Sequence, residues 1–350
     1  MSMQTILLKA DAPETVEQAA AILKQGGLVA IPTETVYGLG ANGLDAQAVH
    51  KIFEAKGRPQ DNPLILHIAE IGQLEDICHD IPKEAYTLAE QFWPGPLTLV
   101  LPCRELVPRE TTAGLPTVAV RCPANTVTRR IIAAAGVPVA APSGNRSGRP
   151  SPTTAAHMVT DMDGRIDAIV DGGPCGVGVE STILDLTTRP FALLRPGGLP
   201  VEAIEAVVGP ILVDGAVTGT LKPGQAPKAP GMKYRHYAPK APVTVVCGRP
   251  DLTAKYIAEH TGADTGVICF DEFSHLFSGK LQRLGPSWDQ QEQARRLFDA
   301  LRWFDTTDVT CIYAQCPEET GLGRAVVNRL KKAAGFQTVT VELPSGGEST

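Results

Sequence analysis

The loop after Pro142 carries residue types that could bind an anion. A short apolar run, expected to form a buried strand, ends at that proline and opens into Ser143-Gly144-Asn145-Arg146. Ser143 and Asn145 can donate hydrogen bonds, and Gly144 lets the backbone approach a ligand closely. A strand that ends in such a loop is typical of anion sites in α/β proteins. The loop alone leaves open a second interpretation, a polar turn whose side chains bond to their own backbone.

Cationic side chains occur at two further places. Lys56 and Arg58 follow a helix predicted over 46–55, where they could clamp phosphates or complement the helix dipole. Arg121 lies in a strand predicted over 117–123. An arginine flanked by apolar residues in a strand rarely lacks an anionic partner, which could be a structural carboxylate or the carboxylate of a substrate.

Hydroxyl and imidazole groups complete the candidate set. Thr33 and Thr35 follow a short strand predicted over 28–31, and they could donate to a substrate or cap the following turn. His67 lies in an apolar run over 64–68, where a histidine is more often part of the core than a ligand. The residues alone leave both pairs of alternatives open.

The order of predicted elements places these groups on an α/β scaffold. Helices and strands follow one another as far as 207. The segment 215–250 then contains six Lys or Arg and no acidic residue, and its prolines disfavour regular structure, which predicts a basic linker that folds as a strap over an anionic ligand. The remainder, from 243, alternates strands and helices, which predicts a small parallel sheet.

The whole-chain totals exclude several classes of protein. The 350 residues are 43% hydrophobic and 20% charged, which suits a globular protein of about two domains. The net charge of −6 argues against a general nucleic-acid or membrane-surface binder. We expect no membrane span, because no apolar run reaches about 18 residues. The eight cysteines form no C-x-x-C pair, so we expect reduced thiols rather than disulfides or a zinc site. Charged residues from Lys9 onward argue against a signal peptide, and the predicted location is the cytoplasm.

Seven short motifs, in order across 20–200, resemble those of the YrdC-type family. They are Pro32-Thr33-Glu34-Thr35-Val36-Tyr37-Gly38-Leu39, Lys56-Gly57-Arg58-Pro59, Asn62-Pro63-Leu64, Trp93-Pro94-Gly95-Pro96-Leu97-Thr98, Arg121-Cys122-Pro123, Ala141-Pro142-Ser143-Gly144-Asn145 and Glu180-Ser181-Thr182-Ile183. The basic strap and the last segment resemble the long, two-domain form of that family. The resemblance implies a twisted, mixed-sheet α/β catalytic domain over 1–208. It also implies a basic, proline-rich linker over 209–242 and a small Rossmann-like parallel α/β domain over 243–345.

The resemblance further implies an activity, that of a nucleotidyltransferase. L-threonine, bicarbonate and ATP, with Mg²⁺ carried by the ATP, would give threonylcarbamoyl-AMP and pyrophosphate. The product would feed the N6-threonylcarbamoyl modification of adenosine 37 in tRNA through hand-off to a threonylcarbamoyl-transferase complex, and weak direct tRNA binding stays open.

The family pattern also assigns roles to individual residues, with catalysis assigned to Lys56 and Arg58. The residues that the resemblance assigns to ATP are Lys56, Arg58, Asn62, Thr117, Ser143, Asn145, Ser151, Arg195 and Tyr234. Those that it assigns to L-threonine are Thr35, His67, Arg121, Ala141 through its backbone, and Ser181. Arg121 can hold the threonine carboxylate as a charge-assisted pair.

Two alternative functions compete with this one. The carbamoyl-transfer domain of hydrogenase maturation resembles the same fold, but it would need an upstream segment with paired cysteines, and the first predicted helix already begins at Thr15. An RNA-binding module could use a basic concave surface, and its affinity for RNA would fall steeply with salt. The acidic total makes this the weaker alternative.

Overall fold

A computed structural model describes residues 4–219, 227 and 236–342. The chain divides into two compact units, Met1–Ser147 with Ser151–Tyr234 and Gly148–Pro150 with Arg235–Thr350. The family-derived boundaries at 208 and 242 stay predictions, because 220–226 and 228–235 lie outside the described residues.

The described part of the first unit contains eleven strands and nine α-helices. The strands are β1 (Ile6–Lys9), β2 (Val29–Ile31), β3 (Gly38–Asn42), β4 (Ile65–His67), β5 (Leu97–Pro102), β6 (Thr117–Arg121), β7 (Val139–Ala140), β8 (Ala168–Asp171), β9 (Thr182–Asp185), β10 (Ala192–Arg195) and β11 (Leu212–Val213). The helices are α1 (Thr15–Lys24), α2 (Ala46–Lys56), α3 (Leu74–Ile77), α4 (Lys83–Phe92), α5 (Arg109–Thr112), α6 (Thr126–Ala135), α7 (Ala155–Met162), α8 (Val201–Val208) and α9 (Gly215–Thr218).

These strands form one large mixed sheet. Its order is β1-β8-β2-β3-β7-β4-β6-β5-β9-β10-β11, with parallel pairs such as β4 with β6 and antiparallel pairs such as β5 with β6. Strands β9 and β10 pair antiparallel and form a hairpin. The mixed α/β sheet predicted for this part of the chain is therefore present.

The alternation of side chains along the central strands separates the core from the polar residues. In β6, Val118 and Val120 pack into the main hydrophobic core, whereas Ala119 belongs to a small apolar cluster on the opposite face. Leu66 of β4 likewise lies in the main core. The side chains of His67 and Arg121 therefore lie on the face turned away from that core.

Helix α2 carries the first cationic motif. Asp45 caps its N-terminus by accepting hydrogen bonds from two backbone N–H groups, and Val49, Ile52 and Phe53 bury its apolar face. Gly57 ends the helix in the left-handed conformation, with φ of 61°. The sequence-predicted helix over 46–55 is confirmed and is extended by one residue to Lys56.

The described part of the second unit has the predicted parallel sheet. Its elements are β12 (Val243–Gly248), α10 (Pro250–His260), β13 (Thr265–Phe270), β14 (Leu281–Gly285), α11 (Gln290–Trp303), β15 (Cys311–Gln315), α12 (Gly323–Ala333) and β16 (Thr338–Val341). The order is β14-β13-β15-β12-β16, and every pairing is parallel. Strand β14 was not expected, because its polar sequence has little apolar periodicity.

Two further strands differ from the sequence-based expectation. Residues 38–42, which the sequence did not predict to be a strand, form β3, which is held by antiparallel pairing with β2 and β7. After α8, β11 pairs in parallel with β10 and so extends the large sheet. No helix among the described residues has the length and apolar character needed to cross a bilayer.

Candidate functional site

A row of polar residues crosses five neighbouring strands of the large sheet. His67 of β4 pairs with Arg121 of β6. Thr98 of β5 pairs with Ile183 of β9, which in turn pairs with Arg195 of β10. Because β5 lies between β6 and β9, these residues form one continuous row. Four of the five side chains are polar, and all five are buried.

Arg121 is held by three different acceptors. Its Nε donates to the Gly95 carbonyl oxygen at 3.1 Å, its Nη1 to Thr35 Oγ1 at 2.9 Å and its Nη2 to Glu34 Oε1 at 2.5 Å. The second carboxylate oxygen, Glu34 Oε2, accepts from the Ala124 N–H at 2.9 Å. A guanidinium has five N–H groups, so within the described residues one N–H on each terminal nitrogen of Arg121 keeps no acceptor. The structural carboxylate, one of the two alternatives that the sequence left open for Arg121, is therefore present, and a second acceptor can still be bound.

Thr33 and Thr35 have different roles in their loop. Thr33 Oγ1 donates to the Val36 carbonyl oxygen at 2.6 Å, which is the turn-capping alternative. Thr35 Oγ1 instead accepts from Arg121 and is fully buried. The Gly178 N–H donates to the Thr35 carbonyl oxygen at 3.1 Å, which ties this loop to the glycine-rich loop before β9.

His67 is both a buried histidine and a neighbour of Arg121. Its Nδ1 lies 3.2 Å from the Ile65 carbonyl oxygen. Burial, and then the positive charge of Arg121, lower the pKa of His67 to about 3. The imidazole is therefore neutral near pH 7 and is a weak proton acceptor.

Arg195 and Ser181 are bonded to one another. Arg195 Nε and Nη2 donate to the Ser181 carbonyl oxygen at 3.1 and 3.0 Å, and Nη2 also donates to Ser181 Oγ at 3.2 Å. Thr98 Oγ1 lies 2.7 Å from Ser181 Oγ. Sequence reasoning assigned no role to Thr98, although it lies in one of the quoted motifs. This arrangement joins a residue assigned to ATP with one assigned to L-threonine.

Ser151 reaches the same region through Glu180. Its Oγ donates to Glu180 Oε1 at 2.5 Å, and both residues are buried. Glu180 directly precedes Ser181, so this contact links Ser151 to the polar row. Glu180 also received no role from the sequence, although a buried carboxylate requires donors.

Lys56 joins the end of α2 to the Ser143–Asn145 loop. Its buried ammonium donates to the carbonyl oxygens of Ser143 at 2.5 Å and Asn145 at 2.6 Å. Ser143 Oγ donates to Asn145 Oδ1 at 2.6 Å, and Asn145 Nδ2 donates to the Arg146 carbonyl oxygen at 2.9 Å, so only the asparagine makes the bond to neighbouring backbone that the polar-turn interpretation requires. A Cβ added at Gly144 would lie 2.3 Å from Sδ of the buried Met158, so a side chain there would displace the end of that methionine.

The other five candidate residues have the following positions. Arg58 is half-buried, with its guanidinium carbon 5.9 Å from the centre of the Phe53 ring. Asn62 is buried, and Thr117 begins β6, four residues before Arg121 and on the same face. The Ala141 N–H donates to the Ile65 carbonyl oxygen at 3.0 Å. Tyr234 lies outside the described residues.

Charged side chains in the described residues form no metal centre. No group of three or more His, Cys, Asp or Glu within 4–219 and 236–342 could hold a metal ion. All eight cysteines are free thiols.

Both parts of the chain match known family models. Residues 21–197 match the Sua5/YciO/YrdC model, described as Telomere recombination, and residues 199–335 match the model described as Threonylcarbamoyl-AMP synthase, C-terminal domain. A curated threonylcarbamoyl-AMP synthase of Pyrococcus abyssi is 53% identical over 329 residues, which cover 92% of this chain and 95% of the relative. This chain belongs to the threonylcarbamoyl-AMP synthase family.

Another curated relative and a solved structure show the same similarity to this chain. The Bacillus subtilis enzyme is 49% identical and covers 93% of this chain and 94% of its own length. The solved structure of Pyrococcus abyssi Sua5 complexed with L-threonine matches with a TM-score of 0.91 and 50% identity, covering 97% of this chain and 99% of that one. The comparisons confirm the predicted family, the fold class and the nucleotidyltransferase class of enzyme.

Proposed function

We propose that this chain makes threonylcarbamoyl-AMP and pyrophosphate from L-threonine, bicarbonate and ATP, as the names of its relatives indicate. The observation that carries the proposal is the buried polar row, in which Arg121 keeps two N–H groups for a further acceptor. A relative with the same overall fold, Pyrococcus abyssi Sua5, has been solved as a complex with L-threonine.

L-threonine binds at the Arg121 part of the row. Its carboxylate accepts from the two remaining N–H groups of Arg121, a charge-assisted interaction in a site that excludes water. Thr35 and Ser181 are within the same hydrogen-bonded arrangement and supply hydroxyl groups beside the bound amino acid. His67 lines this part as a neutral imidazole, and the Ala141 N–H donates to the Ile65 carbonyl oxygen that also lies near His67 Nδ1.

ATP binds beyond Ser181, with its Mg²⁺ as part of the substrate. Arg195 neutralises phosphate charge, and Lys56 fixes the loop of Ser143 and Asn145 against the end of α2. Arg58 adds a second cation after that helix. The other residues that we assign to ATP are Asn62, Thr117, Ser151 and Tyr234.

The reaction requires no nucleophile from the protein. The threonine ammonium first loses a proton to solvent. The resulting amine attacks the carbon of bicarbonate, a C–N bond forms, and water leaves to give the carbamate. A carbamate oxygen then attacks the α-phosphorus of ATP, and the bond from that phosphorus to the departing pyrophosphate breaks. The chain contributes by positioning, which reaches effective molarities of roughly 10⁵ M in favourable model systems, and by neutralising phosphate charge.

The cellular context follows from the product. We place the enzyme in the cytoplasm, where its product passes to a threonylcarbamoyl-transferase complex that modifies tRNA. Direct tRNA binding is weak, because the chain carries a net charge of −6.

Pyrophosphate release tests the proposal. The full chain is incubated with Mg²⁺ and ATP, with L-threonine and bicarbonate each supplied or omitted. We expect release only when both are present. Release from ATP alone, or tight and steeply salt-sensitive tRNA binding without turnover, would contradict the proposal and favour an ATPase or an RNA-binding module.

A further inference from the structure

Glu34 is a carboxylate that lies beside Arg121, the arginine that we propose binds the carboxylate of L-threonine. Its Oε1 accepts from Arg121 Nη2 at 2.5 Å, and its Oε2 accepts from the Ala124 N–H at 2.9 Å. The side chains of Glu34 and Arg121 are only 16% and 5% exposed. The pair is therefore poorly hydrated, and the negative charge is fixed at both oxygens.

The Glu34–Arg121 ion pair determines the net charge of the Arg121 part of the row, the threonine end of the site, before a ligand binds. The Arg121 and Glu34 charges cancel, and the adjacent His67 imidazole is neutral near pH 7. The formal charges of the buried Arg195 and Glu180, which belong to the same hydrogen-bonded region, also cancel. A ligand that brings one carboxylate and no cation would leave this end with an uncompensated buried negative charge, which is costly. A zwitterion brings an ammonium with its carboxylate and adds no net charge.

We infer that Glu34 is a specificity-determining residue that selects zwitterionic α-amino acids over hydroxy acids of the same shape. It also positions Arg121, because it holds Nη2 while Thr35 holds Nη1. The inference rests on the proposed function, since it concerns the amino-acid end of that site. It explains why a site with a buried arginine contains a carboxylate that would otherwise compete with the substrate.

The test compares L-threonine with 3-hydroxybutanoate, which is threonine without its amino group. The KM for L-threonine and the Ki of 3-hydroxybutanoate are measured by pyrophosphate release in wild type, Glu34→Gln and Glu34→Asp. Glu34→Gln removes the charge at nearly constant volume, and Glu34→Asp keeps it. Glu90→Gln, the same change on the exposed surface of α4, is the matched control.

We expect the ratio of Ki to KM to fall about tenfold or more in Glu34→Gln, because a buried charge has been removed. The ratio should stay near the wild-type value in Glu34→Asp and in Glu90→Gln. The KM for ATP should change by less than about twofold in all three, which a general loss of structure would not allow. An unchanged ratio in Glu34→Gln, or an equal fall in Glu34→Asp, would overturn the inference.

The wild-type chain provides a measurement that does not depend on the folding of a variant. Its Ki for 3-hydroxybutanoate should exceed its KM for L-threonine by about a hundredfold, and comparable values would overturn the inference. If wild type releases no threonine-dependent pyrophosphate, the proposed function itself fails. If it does release pyrophosphate but shows no selectivity linked to Glu34, only the present inference fails.

Discussion

The Lys56 ammonium lies 2.5 Å from the Ser143 carbonyl oxygen, across 87 residues of sequence. The same nitrogen lies 2.6 Å from the Asn145 carbonyl oxygen, so a cation at the end of α2 fixes the loop after β7. The sequence assigned both Lys56 and this loop to ATP, without showing that they contact one another. The contact indicates that they act together, and that the loop depends on Lys56 for its conformation.

Replacing Lys56 by Ala should lower kcat/KM for ATP by about a hundredfold or more, because both loop contacts and one positive charge are lost. The variant should also be destabilised by about 1–3 kcal/mol, since two buried carbonyl groups lose a charged donor. Steady-state kinetics and urea unfolding measure the two effects. Lys83→Ala, on the exposed face of α4, is the control, and equal kinetics in the two variants would contradict the role of Lys56.

Thr98→Val should raise the KM for L-threonine several-fold while leaving the KM for ATP nearly unchanged. The substitution removes the hydroxyl that lies 2.7 Å from Ser181 Oγ and keeps the shape of the side chain. Thr98→Ser keeps the hydroxyl and should retain activity near that of wild type. A loss in Thr98→Ser equal to that in Thr98→Val would show that packing, and not the hydrogen bond, is responsible.

Gly197→Ala should destabilise the chain and lower activity with both substrates. A Cβ at Gly197 would lie 2.2 Å from the backbone carbon of Ser181 and 2.3 Å from the Glu180 carbonyl oxygen, so the backbone of the site would have to move. The expected cost is about 1–3 kcal/mol, as for other overpacked positions. Thermal unfolding and pyrophosphate release check it.

Gly176→Ala is the matched control for that substitution. Gly176 is exposed, and a Cβ there would meet no atom within 4 Å. It should behave like wild type. Equal stability of Gly197→Ala and Gly176→Ala would mean that the close approach of Gly197 to Ser181 is not required.

The buried His67 should make stability depend on pH. Its pKa is about 3 in the folded chain against an ordinary value of 6.5, so below pH 6.5 the unfolded chain binds more protons than the folded one. Stability is therefore lost as the pH falls, and between pH 7 and pH 5 the titration of His67 alone lowers the free energy of unfolding by about 2 kcal/mol.

Urea unfolding at pH 7 and pH 5 checks this prediction. His67→Asn cannot take up the proton and should lose less stability on acidification than wild type does. His79→Asn replaces an exposed histidine and should show the wild-type loss. If wild type and His67→Asn lose equal stability, the histidine does not carry the buried, neutral form described for it.

Local patterns predicted the elements that have regular apolar spacing. Helix α2 and the alternating strand β6 follow directly from periods of 3.6 and 2. Strand β3 has two glycines in five residues and exists because it is paired with β2 and β7, which no local pattern reports. Strand β14 was missed for the same reason, since its pairing with β13 supplies the stability.

The site was predictable in residue types and only partly in geometry. A buried arginine in β6 required an anionic partner, but nothing in the spacing identified Glu34, which lies 87 residues earlier. Thr98 and Glu180 lie inside quoted motifs, yet their roles depend on contacts with Ser181 and Ser151. Gly144 illustrates the limit further, because the Met158 side chain that a Cβ would displace belongs to α7.

The central claim is that one buried polar row joins an amino acid to ATP through a carbon taken from bicarbonate. Mass spectrometry of the nucleotide product formed from ¹³C-bicarbonate, L-threonine and ATP tests it most directly. We expect an adenylate that carries one threonine and one ¹³C atom, formed by wild type and lost in Arg121→Ala. An unlabelled threonyl-AMP, or labelled product at wild-type levels in Arg121→Ala, would contradict it.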